Sequence, residues 1–436
     1  MVALEPVRLR ADYVVPCEGA GRLLAGGVVD IGTDGRIAAV GTERELGPHP
    51  NTKPVGGILM PGLVNTHAHT PMTLLRSVGD GLPLQRWLTE AIWPLEAKMT
   101  GDDARYGMAL GSAEMLLAGV TTSCELYFFE EAIVAAVQET GARVVVTPGV
   151  ISALAPDGKV EPRIEQIADF YGGHHDPGNR ISVGFAPHSI YDLTPQQCAE
   201  IGERAQAVGA LYHIHLDETR AEREQVMSDW GASGTQLLAD YGVLEGRVLA
   251  AHGVWLDETD RRLLAEAGAA VAHCPQSNLK LGSGIADVRE LLQAGVVVGL
   301  GTDGPASNDN LDLWEELRLA PLLARGSLLD PEAMDAIQAL DLATRQAAWS
   351  LALDDVGQLH AGFWADLIRL DLDVPAFSPF REDTLLTQLV FAGSSRGVTD
   401  VWVAGRAVVA DRELMTVEVG QLMAECDTRA RRMTEG

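Results

Sequence analysis

The sequence predicts an α/β fold, a (β/α)8 TIM barrel that carries a small β-sandwich domain formed by both chain ends. Two patterns lead to this prediction. In the middle of the chain, apolar strand-like segments alternate with loops and amphipathic helical segments, eight times in succession. At both ends, short segments alternate apolar and polar residues with a period of two, which is typical of half-exposed antiparallel strands.

The two chain ends have the same pattern. The N-terminal part contains LRADYVVPC, GGVVDIG and RIAAVG between glycine turns, without a helix long enough to cover them. After about residue 360, ADLIRLDL, VTDVWVAG and RAVVADREL continue the alternation. We therefore expect residues 1–61 and 361–436 to form one composite β-sandwich domain.

Residues 62–360 are expected to form the catalytic barrel. Thr194-Pro195-Gln196-Gln197 and Asp330-Pro331 combine a capping side chain with a first-turn proline, so a helix is expected to begin at each. A parallel barrel gathers its catalytic residues at the C-terminal ends of its strands. The predicted strands lie near residues 62–67, 119–126, 143–150, 181–187, 210–216, 247–252, 269–273 and 296–302.

The amino-acid composition and net charge argue against some classes of binding partner. The 436 residues are 47% hydrophobic, as expected of a globular protein with a large core. A formal charge of -28, from 33 basic and 61 acidic residues, argues against nucleic-acid or anionic-membrane partners. The opening MVALEPVRLRADYVV lacks a signal-peptide core, so a cytoplasmic protein is expected. The five scattered cysteines indicate neither a disulfide framework nor a thiolate zinc site.

Four potential metal ligands, His67, His69, His215 and Asp303, stand where predicted strands end. The one-residue spacing of His67 and His69 places both imidazoles on the same face of an extended segment. Asp303 follows the buried run VVVGLG, where an unpaired charge would be costly, so it favours a cation. Three histidines and one carboxylate suit a single Zn²⁺ per subunit, or Fe²⁺, with an open position for water.

Acid and base candidates lie beside these ligands. Glu218, three residues beyond His215, suits a general acid, and His252 with Asp303 could take and hold a proton from water. His213 shares a face with His215 one layer deeper, where a packed, hydrogen-bonded role is expected. His273 ends the seventh strand and is a further candidate for lining the pocket.

The sequence lacks the motifs of several other classes of enzyme. The GSG at 282–284 does not complete a dinucleotide fingerprint. The sequence has no His-x-Glu with Pro-Cys-x-x-Cys, the signature of deaminases built on zinc thiolates, and no Gly-x-Ser-x-Gly elbow.

The motifs PGLVNTHAHT, GVTT, FAPHSIY, HLDET, AAHG, SNLKLGSGIA and GTDGPASN occur in this order. With them the sequence resembles the amidohydrolase superfamily, in particular its 5'-methylthioadenosine/S-adenosylhomocysteine deaminase branch and the related chlorohydrolases. Binuclear members of the superfamily use a modified lysine on the fourth strand. Here that strand ends in Pro187-His188, which implies a single metal ion.

The resemblance implies the roles of individual residues. His67, His69, His215 and Asp303 would bind the metal, Glu218 would protonate a purine ring nitrogen, and His252 with Asp303 would manage the attacking water. Trp87 and Glu96 match positions that pack on the ligand and bind the ribose hydroxyls. The substrate contacts expected on this basis are Trp87, Glu96, Arg163, His188, Glu218 and Ser307. A homo-oligomer, either a dimer or a tetramer, is also implied.

One difference from the sequence pattern of the family affects which substrate is expected. Where homocysteine-binding relatives tend to carry an arginine, this sequence has Val146-Thr147-Pro148-Gly149, and Arg163 remains as a partner for a carboxylate. Uncharged 5'-substituted adenosines are therefore expected before S-adenosylhomocysteine. Two alternatives stay open: hydrolysis of a substituent on a free aminopurine, pterin or chlorotriazine ring, and a non-catalytic binding or scaffold role.

Overall fold

The computed structural model describes residues 4–19, 21–154 and 157–435. Within these ranges no helix has both the length and the apolar character that crossing a bilayer requires.

The N-terminal segment consists of short strands and one helical turn. The turn, α1 (Glu43–Leu46), begins with a capping box between Thr42 and Glu45. The strands are β1 (Val7–Arg10), β2 (Tyr13–Val14), β3 (Leu24–Ala25), β4 (Gly27–Ile31), β5 (Ile37–Thr42), β6 (Thr52–Pro54) and β7 (Ile58–Pro61).

The barrel strands follow in the predicted order. The fourth strand is found as two pieces, β11 and β12, which both pair with β10. The strands are β8 (Leu63–Ala68), β9 (Val120–Tyr127), β10 (Arg143–Val150), β11 (Ile181–Val183), β12 (Ala186–Pro187), β13 (Leu211–Leu216), β14 (Arg247–His252), β15 (Ala270–His273) and β16 (Val297–Leu300). Nearly all their residues are buried, as expected of parallel strands covered on both faces.

Helices connect and surround these strands. The helix predicted at Pro195 is confirmed, and Thr194 and Gln197 form its capping box. The helices are α2 (Leu84–Arg86), α3 (Trp93–Glu96), α4 (Gly101–Leu117), α5 (Glu130–Thr140), α6 (Glu161–His174), α7 (Pro195–Val208), α8 (Arg220–Trp230), α9 (Gly234–Asp240), α10 (Glu258–Ala267), α11 (Pro275–Lys280), α12 (Val288–Ala294), α13 (Pro305–Asn308), α14 (Leu313–Leu328), α15 (Ala336–Ala343) and α16 (Arg345–Ser350).

The helix predicted to begin at Asp330-Pro331 does not form there. Asp330 instead accepts the backbone N–H of Glu332 in a tight turn, and α15 begins after Asp335, whose side chain accepts the N–H of Gln338. An aspartate can satisfy backbone donors in a turn as well as in a cap, which explains the error.

The barrel is closed by contacts between its first strand, β8, and the residues that directly follow its last strand, β16. The Asn65 amide donates to Thr302 Oγ1 over 2.7 Å and accepts from the Thr302 backbone N–H over 3.0 Å. The Asp303 N–H donates to the carbonyl oxygen of His67 over 2.9 Å. Strands distant in sequence are therefore fixed side by side at the edge where the predicted ligands lie.

After the barrel the chain returns to the N-terminal strands. It adds β17 (Leu367–Leu370), β18 (Val398–Val403), β19 (Arg406–Ala410) and β20 (Glu413–Leu414). A seven-stranded sheet in the order β20-β19-β18-β17-β7-β2-β3 combines both chain ends, and a four-stranded sheet has the order β5-β4-β1-β6. Buried residues of the two sheets, such as Leu9, Ile31 and Leu367, share one hydrophobic cluster.

The C-terminal region is not entirely β-structure, in contrast to the prediction. It contains α17 (Leu385–Phe391) and a long final helix, α18 (Val419–Glu435). The latter packs on α4: the Arg429 guanidinium donates to Asp102 over 2.6 Å and lies 4.0 Å from the centre of the Tyr106 ring. Helix α18 buries Leu422, Cys426 and Met433, whose helical spacing is the signal that sequence analysis missed.

A buried ion pair joins the barrel to the returning sheet. Arg143, at the start of β10, donates to both carboxylate oxygens of Asp366 over 2.6 and 3.2 Å. Their side chains are only 4% and 2% exposed. Asp366 also accepts the backbone N–H of Ala404 over 2.6 Å, so a single carboxylate links three segments.

We predict that Asp366→Asn lowers the free energy of unfolding by about 3–5 kcal/mol, because it leaves the buried Arg143 charge without its partner. Urea denaturation would measure the change. The control is Asp383→Asn, which breaks the Arg381 pair whose side chains are 65% and 67% exposed, and should cost less than about 1 kcal/mol. Equal effects of the two variants would contradict a structural role for the buried pair.

Candidate active site

The four predicted metal ligands converge at the C-terminal mouth of the barrel. His67 and His69 lie at the end of β8, His215 in β13, and Asp303 three residues after β16. Asp303 Oδ1 lies 3.3 Å from His67 Nε2 and 3.2 Å from His69 Nε2. The Nε2 atoms of His69 and His215 are 3.3 Å apart.

Backbone acceptors orient two of these imidazoles. His215 Nδ1 lies 2.8 Å from the carbonyl oxygen of His188, and His69 Nδ1 contacts the carbonyl oxygen of Leu126. A carbonyl oxygen can only accept, so each Nδ1 carries a proton, and in the neutral ring each Nε2 presents a lone pair to the cluster. Such partners of the outer nitrogen are usual for histidines that bind metals.

The cluster fits a divalent cation. Ligand atoms of His67, His69 and Asp303 lie within 4.8 Å of one another, and so do those of His67, His215 and His252. His67 Nε2 is buried and has no hydrogen-bond partner in the described part of the chain. Imidazole nitrogens and a carboxylate oxygen are donors that Zn²⁺ and Fe²⁺ accept.

Asp303 is held from behind by two hydroxyl groups. Its Oδ2 accepts from Ser277 over 2.6 Å and from Ser307 over 2.8 Å, which leaves Oδ1 facing the histidines. Ser307, which the resemblance predicts to contact the substrate, is 2% exposed, and its hydroxyl is engaged by this carboxylate.

Glu218 is fixed by the loop that follows β13. The buried Glu222 carboxylate accepts the backbone N–H groups of Asp217 and Glu218 over 3.1 and 2.9 Å. Glu218 Oε1 accepts from the Ser283 hydroxyl over 3.3 Å, and Oε2 lies 3.7 Å from His252 Nε2. Burial, aided by the charge of Asp303, raises the pKa of Glu218 to about 8, so its carboxyl can donate a proton at neutral pH.

His252 lies between Glu218 and the metal ligands. Its Nδ1 is 2.9 Å from Asn278 Oδ1, and its ring stacks on that of His215 with a 5.5 Å centroid separation. Burial lowers the pKa of His252, which favours the neutral imidazole. A neutral ring whose Nδ1 donates to the amide has Nε2 free to accept a proton.

A cavity opens from this cluster. Of the expected substrate contacts, Trp87, Glu96, His188 and Glu218 line it. The cavity walls found in the described ranges do not include His273, which is 1% exposed. The other lining residues are His69, Met72, Leu84, Leu88, Ile92, Trp93, Leu126, Tyr127, Phe128, Ile151, Tyr191, His215, His252, Leu281 and Asp303.

Arg163 lies in an adjoining chamber that shares part of this wall. Its guanidinium donates to both carboxylate oxygens of Glu130, over 2.8 and 3.1 Å, and to the Gly149 carbonyl oxygen over 3.3 Å. The two charged side chains are each 14% exposed. The chamber and the first cavity have Trp93, Glu96, Phe128 and Ile151 in common.

Several residues that organise the site were not identified from the sequence. Tyr127 donates its hydroxyl to Glu96 Oε1 over 2.6 Å. Ser277, Asn278 and Ser283 all lie in the SNLKLGSGIA motif, to which sequence analysis assigns no individual roles. The pairing of these polar residues with histidines and carboxylates of other strands is a tertiary property without a local sequence signal.

Comparison with known proteins agrees with this geometry. The Amidohydrolase family model matches residues 58–408. A 5-methylthioadenosine/S-adenosylhomocysteine deaminase of Pelotomaculum thermopropionicum is 40% identical, with 95% of this chain and 98% of the relative covered. A 5'-deoxyadenosine deaminase of Methanopyrus kandleri is 34% identical, with 93% and 94% covered.

A solved structure is similar over almost the whole chain. It is the zinc-bound adenosine deaminase from Xanthomonas campestris, with a TM-score of 0.92, 33% identity and 99% of each chain covered. The family match extends over well more than half of this chain, and the two relatives cover 95% and 93% of it. The chain therefore belongs to the amidohydrolase family.

Proposed function

We propose that this protein is a metal-dependent hydrolase that deaminates adenosine-type nucleosides to the inosine analogue and ammonia. The observation that carries the proposal is the convergence of His67, His69, His215 and Asp303 beside the buried carboxyl group of Glu218. The names of the relatives support the same reaction. Adenosine, 5'-deoxyadenosine, 5'-methylthioadenosine and S-adenosylhomocysteine define the substrate class.

His67, His69, His215 and Asp303 would hold one Zn²⁺ per subunit, and the same donor set would also accept Fe²⁺. When bound, such an ion lowers the pKa of water and stabilises negative charge that develops during attack. The protein residues supply orientation and proton transfer.

Three side chains move protons in the proposed reaction. Water attacks C6 of the purine while Glu218 protonates ring nitrogen N1, so negative charge does not accumulate on the ring. His252 together with Asp303 takes the proton that the water releases. The proton then returns to the amino group, the bond from C6 to that nitrogen breaks, and ammonia leaves. The C6 hydroxyl becomes the carbonyl of the product and gives its proton back to Glu218.

The cavity wall would recognise the nucleoside. Trp87 packs on the ligand, His188 contacts it, and Glu96 accepts hydrogen bonds from the ribose hydroxyls. A carboxylate can accept from two neighbouring hydroxyls at once. The hydroxyl of Tyr127 occupies Glu96 Oε1, which fixes the direction of the carboxylate without blocking Oε2.

The adjoining chamber would receive the 5' substituent. Its walls include Trp93, Phe128 and Ile151, and its Arg163 is already paired with Glu130. A second carboxylate would compete with an existing bidentate ion pair. We therefore propose that uncharged 5' groups are preferred to the amino-acid group of S-adenosylhomocysteine, with Arg163 in the wall rather than as a free binding group.

We also propose the division of the chain into a catalytic barrel, residues 62–360, and a small β-sandwich domain from residues 1–61 and 361–436. The shared hydrophobic cluster of the two terminal sheets supports this division. Helix α18 belongs to the second segment in sequence but packs on barrel helix α4.

We predict that His215→Ala removes both bound metal and ammonia release, whereas Glu218→Gln keeps the metal and lowers the rate at least about 100-fold. The first change deletes a ligand, and the second deletes only the acid. Metal analysis of purified protein and an ammonia assay would separate them. His360→Ala, at an exposed histidine, is the control. Full activity of either site variant would refute its assigned role.

We predict that Glu96→Ala weakens turnover of nucleosides but not of a free aminopurine, since only the nucleoside has ribose hydroxyls. The measurement is kcat/KM for adenosine and for adenine, with a loss of about tenfold or more for the nucleoside. Glu90→Ala, an exposed carboxylate of the preceding turn paired with Arg86, is the matched control. Equal turnover of base and nucleoside by the unmodified enzyme would favour a free-base substrate.

We predict that Glu130→Gln raises kcat/KM for S-adenosylhomocysteine relative to 5'-methylthioadenosine by about tenfold, because it frees the Arg163 charge for the substrate carboxylate. Glu131→Gln, which alters the neighbouring carboxylate that contacts His174 on the surface, should leave the ratio unchanged. A ratio that Glu130→Gln does not alter, or an unmodified enzyme that prefers S-adenosylhomocysteine, would contradict the chamber's role.

A further inference from the structure

His67 differs from the other two histidine ligands in the partner of its outer nitrogen. His69 and His215 direct Nδ1 at backbone carbonyl oxygens. His67 Nδ1 instead lies 2.9 Å from Nε2 of another histidine, His213, in the layer below. An imidazole nitrogen can donate or accept, so this contact does not by itself determine which nitrogen of His67 carries the proton.

Thr147, which contacts His213, determines which nitrogen of His67 carries the proton. Thr147 Oγ1 lies 2.9 Å from the carbonyl oxygen of Glu125, which can only accept, so the single hydroxyl proton is directed there. The same oxygen lies 3.0 Å from His213 Nδ1. Because the hydroxyl proton is already used, this second contact requires that His213 Nδ1 donates.

His213 then has only a lone pair on its other nitrogen. Its side chain is buried at 0% exposure, and its hydrogen-bond contacts are to Thr147, His67 and the Cys124 sulfur, none of them a carboxylate. Charging an imidazole there without a counter-ion would be costly, so the ring is neutral and carries one proton, on Nδ1. His213 Nε2 must accept from His67 Nδ1, which leaves the His67 Nε2 lone pair facing the cluster.

We propose that Thr147 and His213 are positioning residues that fix the tautomer of His67, so that its Nε2 is a metal ligand before any ion arrives. The proposal rests on the metal site proposed above. It assigns a role to a histidine that touches neither substrate nor metal. His67 Nε2, buried and without a hydrogen-bond partner in the described ranges, is the atom that the chain of contacts prepares.

The contact with Cys124 allows the donor and acceptor directions of these hydrogen bonds to be tested. Its sulfur lies 3.5 Å from the same His213 Nδ1. If the threonine hydroxyl were removed, the weak donor S–H of Cys124 would be the remaining partner of this nitrogen. It would favour the opposite tautomer of His213, with a proton on Nε2, and a donating Nε2 would force His67 to carry its own proton on the nitrogen that faces the metal.

The first experiment compares Thr147→Val with Thr147→Ser in the full-length protein. Valine has nearly the same volume as threonine but lacks the hydroxyl group, whereas serine retains the hydroxyl group. Zn²⁺ affinity, measured by competition with a chromogenic chelator, should fall about 10–100-fold in the valine variant and stay near the unmodified value in the serine variant. The ¹⁵N chemical shifts of the metal-free protein should show the His67 proton on Nδ1 in the serine variant and on Nε2 in the valine variant.

The second experiment replaces the histidine itself. His213→Gln offers an amide oxygen at the place of Nε2 and should retain most of the Zn²⁺ affinity, whereas His213→Met offers no comparable acceptor and should lose it about 10–100-fold. His273→Gln changes another buried histidine that has no hydrogen bond to the ligands among the described residues, and controls for general loosening of the core.

The outcomes separate the two proposals. If the unmodified protein does not bind Zn²⁺, the metal site itself is refuted. If it binds Zn²⁺ and Thr147→Val and His213→Met bind it equally well, with the His67 proton still on Nδ1, only the positioning role is overturned. A loss of the same size in His273→Gln would also overturn it, because the effect would then not depend on the chain of hydrogen bonds.

Discussion

The site depends on one electrostatic arrangement: a carboxylate and three imidazoles, withdrawn from water, face one another through lone pairs rather than N–H groups. Such an arrangement is unfavourable without a cation, since each lone pair has lost its hydration. The barrel maintains it by fixing every outer atom. Carbonyl oxygens hold His69 and His215, and two serine hydroxyls hold the far oxygen of Asp303. Glu218, His252 and the cavity all lie beside this cluster.

The strength of the scaffold comes from contacts between segments distant in sequence. Asn65 and Thr302 join the first and last strands directly beneath the ligands, and Arg143 with Asp366 joins the barrel to the terminal sheet. These polar pairs are buried and fully engaged, so they specify register as well as contributing stability. An error of one residue in the pairing of the first and last strands would turn the ligands away from one another.

The barrel strands could be predicted from the sequence because most are apolar runs of suitable length. The ligand positions could be predicted because the first, fifth and eighth of these runs are each followed or ended by a histidine or an aspartate. Glu218 and His252, which the motifs single out, lie beside the ligands in the structure. Roles that depend on a distant partner could not be predicted: Ser307 supports Asp303, and Arg163 is neutralised by Glu130. The turn at Asp330 was mispredicted as a helix start because a capping residue also suits a turn. Helix α18 was missed because it buries only a few apolar residues, spaced along one face.

Two chemically important residues, His252 and Asp303, have backbone φ angles of 73° and 62°. Side chains other than glycine are uncommon in this left-handed region, and holding them there typically costs on the order of 1 kcal/mol or more per residue. Glycine would relax both positions but would remove an imidazole and a carboxylate from the site. Selection for thermal stability alone would therefore favour replacement of these two active-site residues. The surrounding barrel must be stable enough to offset the backbone strain at both positions.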